Sequence, residues 1–542
     1  MNRRDLIKAL GLMGTSLAIP SFLAKQGFAA NVSQRELRNA RAIIAGDIEF
    51  VAPTTLPTVI NVFMYGGPSE LAGNLLNIEE ITGAVGSKGM SQNDYKVARP
   101  GITLPFTAAN DTGQVTSKFL WRNAGGLIME DLIADKQMSL YRTINRVQGD
   151  TKAHRESIFT AQTGGLATLN TPGIGTTLAA ILRVKMPGVF DNPDQAPIMP
   201  FVSFEGESVM YDLGDISLPP QLRSVSLGRD LSNPYGYAKV FNGAGTAAAP
   251  VCVSGGQTPT CNSVLEQLAK SVSGGYSTNY AKYVSAFGKR GDLDNQFSTT
   301  FKNMTLRMPA TGVGGPFGTL NSNDVPNDAA TTFFLQDGLG NNTTAIQQGS
   351  LSFTRDFGTT LRNAVLFALL NKDTRFITLS TGGLGSWDDH DNSIVKYEQR
   401  VLGLISDLRN AVRLLRTGTV TGTATDNNAR NDVVINVFGE FGRNVNLNGS
   451  MGWDHGNNMN LYTFGGSAIP GRALGQVVGA TKVVDEGGQN RLYTTPNLAK
   501  DARTFQPYSI AATVYKYFGV QNPNVLTADP MLAPNGYGPI DG

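Results

Sequence analysis

The sequence predicts an α/β fold on a mainly parallel sheet, and three observations carry that expectation. Short, nearly continuous apolar runs read as strands covered on both faces. Helical stripes alternate with these runs. Glycine turns close them at Gly66-Gly67, Gly382-Gly383 and Gly439. In such folds ligands gather beyond the carboxyl ends of the strands. The residues after each run are therefore the first place to look for chemistry.

The first strand is Thr58 to Tyr65, stopped by Gly66-Gly67-Pro68. Residues 355–371 read as a helix before the second strand, Phe376 to Ser380. A longer helix spans residues 393–416. It places Ile394, Tyr397, Val401, Leu404, Ile405, Leu408, Val412 and Leu415 three and four apart, and its charged residues fall largely on the other face. A polar loop, Thr419 to Asp432, leads to the third strand, Val433 to Phe438. That strand ends at Gly439-Glu440.

The first residues read as an address. Arg3-Arg4 precedes a mildly apolar stretch from Ala9 to Leu23, shorter than the roughly 20 apolar residues of a membrane span. Small residues for cleavage follow at Gly27 to Ala29. The pattern resembles a bacterial twin-arginine signal, with the export machinery as partner and the periplasm or cell exterior as destination. Residues 1–29 are the expected signal, 30–56 a linker, and 57–542 one α/β domain. A Gly-rich, loop-rich stretch at about 226–345 reads as an insertion or cap. The signal holds Arg3, Arg4, Lys8 and Lys25 against Asp5, a net of +3, so the whole chain's +2 becomes −1 after cleavage. No basic patch implies nucleic acid, and no later segment has the unbroken apolar length of a span.

Charged residues make up 16% of the chain, against roughly 25% in average soluble domains. Cys252 and Cys261 are the only cysteines and flank a Gly/Pro loop. In an exported protein they read as one local disulfide, with a pair of metal thiolates as the alternative.

The chain has three histidines. His390 sits in Trp387-Asp388-Asp389-His390-Asp391, His455 in Trp453-Asp454-His455-Gly456, and His154 follows Asp150-Thr151-Lys152-Ala153. Imidazole beside carboxylate suits zinc or manganese, because neutral nitrogen and anionic oxygen both bind borderline metals. The plainer reading is a set of hydrogen-bonded pairs that shape loops. Glu440 suits a ligand or a group that orients a histidine. Arg443 suits an anionic substrate, or a buried pair with Glu440. Trp387 and Trp453 either line a cleft or pack beneath the loops. No GxGxxG spacing marks a dinucleotide site.

In this order, the motifs resemble a twin-arginine-exported family of unknown function, numbered 1501. The resemblance rests on Gly66-Gly67-Pro68-Ser69, His154 before Thr163-Gly164, Trp387 to His390, Glu440-Phe441-Gly442-Arg443 and Gly452 to Gly456. That family is similar to the alkaline phosphatase and sulfatase superfamily. The resemblance implies a doubly wound α/β core and paired cations that clamp a phosphate or sulfate ester. Asp454-His455-Gly456 looks like the superfamily's Asp-His-Gly ligand pair, with Asp388 and His390 as companions and Glu440 in support. His154 stands ten residues before Gly164, where sulfatases place their nucleophile. It is a ligand, an imidazole nucleophile, or the mark of lost esterase chemistry. Ala72 stands where the family has an Asp, and Gly439 where it has a Ser. The first departure points to one metal or none, rather than two.

The expected function is thus a metal-dependent hydrolase of phosphate or sulfate esters, using zinc, manganese or calcium. Asp388, His390, Glu440, Asp454 and His455 would be its ligands, and His154 and Arg443 its catalytic groups. The alternative is a non-catalytic binding or structural protein on the same fold.

Overall fold

The computed structural model of the protein describes residues 48–68, 126–144, 153–165, 171–191, 197–228, 357–383, 386–388, 390–391, 393–418, 429–447, 450, 452–456, 459–478, 480–486, 489–495, 507–527 and 539–540. It also describes short strand pieces at 105–109, 115–119, 306–307, 345–348 and 351–353. The expected signal, the cysteine pair, most of the insertion, and Ala72 lie outside the described residues.

The strands of the central sheet are β1 (Thr58–Met64), β2 (Met138–Ile144), β3 (Phe201–Ser203), β4 (Val225–Ser226), β5 (Phe376–Ser380), β6 (Val433–Gly439), β9 (Met459–Gly465) and β10 (Val477–Val478). Between β6 and β9 a separate hairpin forms from β7 (Gly442–Leu447) and β8 (Trp453–Gly456). The sheet order is β10-β2-β9-β6-β1-β5-β3-β4. β1 is the hub, parallel to β5 and to β6. β3 extends the sheet in parallel beyond β5, and β4 beyond β3. β9 runs antiparallel to both β6 and β2. The sheet is therefore mixed but mainly parallel, as the apolar runs predict.

Alternation along β1 feeds two cores. Ile60, Val62 and Met64 join residues of helices α1 (Gly126–Ala134), α4 (Phe357–Leu370) and α5 (Ser393–Thr417). Val59 and Phe63 face the other way, toward α2 (His154–Thr163), α3 (Ile174–Lys185) and α6 (Pro507–Tyr517). Side chains two apart on a strand share a face, so β1 needs helices on both sides, and it has them. One polar ladder crosses this apolar sheet. Asn436 Nδ2 donates to Asn61 Oδ1 at 3.2 Å, and Thr463 Oγ1 donates to Asn436 Oδ1 at 2.8 Å. The register places Asn61 beside Asn436 and Asn436 beside Thr463.

Helix α5 differs from its periodic reading in one respect. Val401, Leu404, Ile405, Leu408, Val412 and Leu415 are buried as expected, but so are Asp407, Arg409 and Asn410. The short strand Leu351–Phe353 and helix α1 both contact α5. A second layer of contacts therefore covers residues that the amphipathic pattern alone assigns to the polar side.

Candidate metal centre

Because β1, β5 and β6 are parallel and in register, their carboxyl ends open at one edge. Phe63 pairs with Ser380 on one side and with Phe438 on the other. Three turns therefore meet there: Tyr65-Gly66-Gly67, the segment Thr381 to Asp391, and Glu440-Phe441.

Main-chain bonds hang the second turn on the first. Trp387 N–H donates to the Tyr65 carbonyl at 2.9 Å, and Thr381 N–H to the Phe63 carbonyl at 3.1 Å. The Ser386 hydroxyl donates to the same Tyr65 carbonyl at 3.2 Å. Trp387 is buried and its indole Nε1–H donates to Thr381 Oγ1 at 2.6 Å. Of its two sequence readings, the structure selects the one beneath the loop. Gly66 makes this closeness possible. It has φ +108°, and a Cβ there would stand 2.4 Å from the Asp388 nitrogen. Gly66→Ala is expected to destabilise the protein by about 1–3 kcal/mol through backbone strain, read by urea unfolding. A loss under about 0.5 kcal/mol, the range of neutral surface changes, would show that the turn relaxes freely.

All three histidines meet around Asp388. His390 Nε2 lies 2.9 Å from Asp388 Oδ1, His455 Nε2 3.4 Å from the same oxygen, and His154 Nε2 3.3 Å from Oδ2. The Nε2 atoms of His390 and His455 are 3.2 Å apart. His154, Asp388 and His455 offer ligand atoms all within 4.8 Å of one another, which is the geometry of a group able to hold a metal ion. His154 opens α2, while Arg443 and His455 are cross-strand partners in the β7–β8 hairpin. That pairing brings both to Asp388.

The other predicted ligands stand around this group. Glu440 is fully buried, and its Oε1 lies 2.5 Å from His154 Nδ1 while accepting the Gly66 N–H at 3.0 Å. It braces the imidazole from behind. Asp454 is exposed and lies 3.3 Å from His390 Nδ1, on the outer side of the cluster. Arg443 is 1% exposed. Its Nη2 donates to Asp388 Oδ1 at 2.5 Å and to the Gly66 carbonyl, and its Nε donates to the Gly67 carbonyl at 2.5 Å. Its ion pair is thus with Asp388, where the sequence offered Glu440 as its buried partner. Phe441, next to Glu440 in the chain, is the contact that sequence reasoning passed over. Its ring centroid lies 5.0 Å from that of His154 and 4.5 Å from that of His455. Apolar residues carry no ligand signal, so only its place between two candidate groups marks it.

These contacts set the protonation of the centre. Hydrogen bonds to Asp388 and then Glu440 raise His154 from 6.5 to about 9, against partial burial. Partial burial works against ionisation of Asp388, but bonds from His154, His455 and Arg443 hold its carboxyl well below the usual range. Burial pushes Glu440 up, opposed chiefly by His154. The folded metal-free protein holds the His154 proton more tightly than the unfolded chain does. The resulting stability is complete below pH 6.5 and is lost as pH rises toward about 9. Thermal unfolding across that window should show the decline, and His154→Gln should flatten it. An unchanged slope in the variant would assign the decline to another group.

Residues 354–521 match the model of a family described as "Protein of unknown function (DUF1501)". The match bears out the family resemblance over this stretch. It takes in Asp388, His390, Glu440, Arg443, Asp454 and His455 and leaves out His154. A search of curated proteins finds no match. Among solved structures, the chain is similar to "Phosphonate monoester hydrolase SpPMH from Silicibacter pomeroyi". That match has 12% identity and a TM-score of 0.27, and covers 90% of this chain and 76% of that one.

Proposed function

Residues 354–521 carry the segment of a family of unknown function, and on that premise we propose that the protein is an exported, metal-dependent hydrolase of phosphate or sulfate esters. One observation supports this reading above the rest: every histidine of the chain converges on one carboxylate at the carboxyl edge of a mainly parallel sheet. Loop-shaping pairs could form anywhere along the chain, whereas a shared centre needs all of them at one edge.

The donor set fits a borderline cation. His154 and His455 supply imidazole nitrogens and Asp388 supplies oxygen, which suits zinc or manganese. Asp388 divides its oxygens: Oδ1 faces Arg443, His390 and His455, and Oδ2 faces His154. The Arg443 guanidinium already brings one positive charge to Oδ1. Among the described residues no second such ligand group exists. The reading is therefore a single-metal centre on an alkaline-phosphatase-like core. A bound cation would polarise the ester oxygen and offset charge developing on it.

The chain's own groups do the rest. Glu440 holds the Nδ1 side of His154, which directs Nε2 into the centre. That Nε2 has one lone pair and so one of two roles: third ligand beside Asp388 and His455, or, with the cation held without it, the group that moves a proton. Phe441 packs its ring beside two of the histidines. Arg443, fully buried, fixes Asp388 and the Gly66-Gly67 turn, and its Nη1 lies 3.3 Å from His390 Nε2. The twin-arginine start supports export of folded cargo, and no helix among the described residues is long and apolar enough to cross a membrane.

Elemental analysis of the mature protein after native export tests the proposal, beside His390→Ala/His455→Ala. Near-stoichiometric zinc or manganese in the native protein, lost in the variant, is expected, with chelator-sensitive turnover of aryl phosphate or sulfate. Equal trace metal in both would sink the metal centre. The Arg443–Asp388 pair favours a second reading in that case, a non-catalytic binding protein whose centre is closed by its own arginine.

A further inference from the structure

A second polar cluster lies at the same sheet edge, beyond the end of β3. β3 ends at Ser203, and Glu205 follows two residues later. Register places Ser203 beside Thr378, and Thr378 and Ser380 share a face of β5. Tyr65 stands one residue beyond β1. The hydroxyls of Ser208, Thr378, Ser380 and Tyr65 stand around the Glu205 carboxylate, near enough to hydrogen-bond it loosely and favour its charged form. Glu205 is 7% exposed. Yet none of these contacts reaches full hydrogen-bond geometry at either carboxylate oxygen or at Thr378 Oγ1. Among the described residues no lysine, arginine or histidine contributes to its environment.

A lone buried carboxylate is costly unless it is neutralised. Burial duly pushes Glu205 up to about 7 in the absence of a counter-charge. Buried groups left unbonded are places where an ion or water belongs. The donors are all hard oxygens, without nitrogen or sulfur, which suits alkali and alkaline-earth cations rather than zinc. One carboxylate among neutral hydroxyls balances a single positive charge. We infer that Glu205, Thr378, Ser380, Ser208 and Tyr65 form a buried site for a monovalent alkali cation, sodium or potassium.

The site bears on the histidine cluster through Tyr65. Its phenol faces Glu205 and accepts from Gln162 Nε2 at 3.0 Å, while its carbonyl carries the Trp387 N–H and the Ser386 hydroxyl. A cation beside the phenol would steady the turn from which Asp388 hangs. The inference stands whether or not the histidines hold a metal.

The test is thermal unfolding of the full protein, exchanged into choline chloride and titrated with sodium or potassium chloride at constant ionic strength. A saturable rise of about 2–4 °C above choline is expected, as for a ligand that binds only the folded state. Glu205→Gln should abolish the rise and His455→Ala should keep it. Thr378→Val, which removes one ligand oxygen at nearly constant shape, should weaken the response if Glu205→Gln fails to fold. No saturable rise in the native protein, or an equal rise in Glu205→Gln or Thr378→Val, would overturn the inference. The carboxylate would then be satisfied by a proton or by buried water.

Discussion

His154→Ala is expected to lower ester hydrolysis by about 10²–10⁴-fold, the range for losing a positioned proton-transfer group; unchanged metal content in the variant would assign Nε2 to proton transfer, and lost metal would assign it to the ligands. The imidazole sits where two requirements meet. Its Nε2 faces Asp388 within the ligand group, and its Nδ1 is braced by Glu440 at 2.5 Å. Glu440→Gln isolates the second requirement. The amide keeps the shape but loses the charge, and removal of such bracing partners costs about 10–100-fold in metal affinity or activity. A graded series is therefore expected, with His154→Ala below Glu440→Gln below the native protein. Glu440→Gln should also move the pH profile downward, because one of the carboxylates that raises His154 is gone. Turnover by His154→Ala equal to native would remove His154 from the mechanism. An unshifted profile in an otherwise impaired Glu440→Gln would reduce Glu440 to a packing role.

Arg443→Ala is expected to cost about 2–4 kcal/mol of stability. Removing one partner of a fully buried pair costs about 3–5 kcal/mol. The expectation here is lower because the Asp388 side chain keeps 28% exposure and some hydration. The variant leaves Asp388 Oδ1 without its guanidinium and also orphans the Gly66 and Gly67 carbonyls. Arg443→Lys should fall in between, because an ammonium keeps the charge without the planar fork that spans three acceptors. Urea unfolding reads both. A loss under about 0.5 kcal/mol for Arg443→Ala, typical of a neutral surface change, would show that the guanidinium is dispensable to the turn.

Much of the architecture was legible in the residues because it follows local rules. Val433 to Phe438 and Thr58 to Met64 are apolar apart from Asn436, Thr58 and Asn61, and only a strand covered on both faces buries them all. The stripe from Val401 to Leu415 specifies a helix for the same reason of periodicity. The candidate site was legible to the extent that its residues follow strand ends. Asp388, Glu440 and Arg443 each come shortly after an apolar run that turned out to be a parallel strand. Helix α5 marks a limit. Its pattern says nothing of what covers Asp407 and Asn410, because coverage depends on segments distant in sequence.

The sequence by itself determined three core strands, two of the helices that flank them and a short list of groups suited to metal, because hydrophobic period and side-chain chemistry are properties of neighbouring residues. The tertiary structure alone decided who touches whom. It drew His154, 234 residues before Asp388 by their numbers, into the ligand group. It gave Arg443 to Asp388, turned Trp387 beneath the loop, and enclosed Glu205 without a counter-charge. Each of these follows from strand order and register, which place at one edge turns that are hundreds of residues apart in the chain.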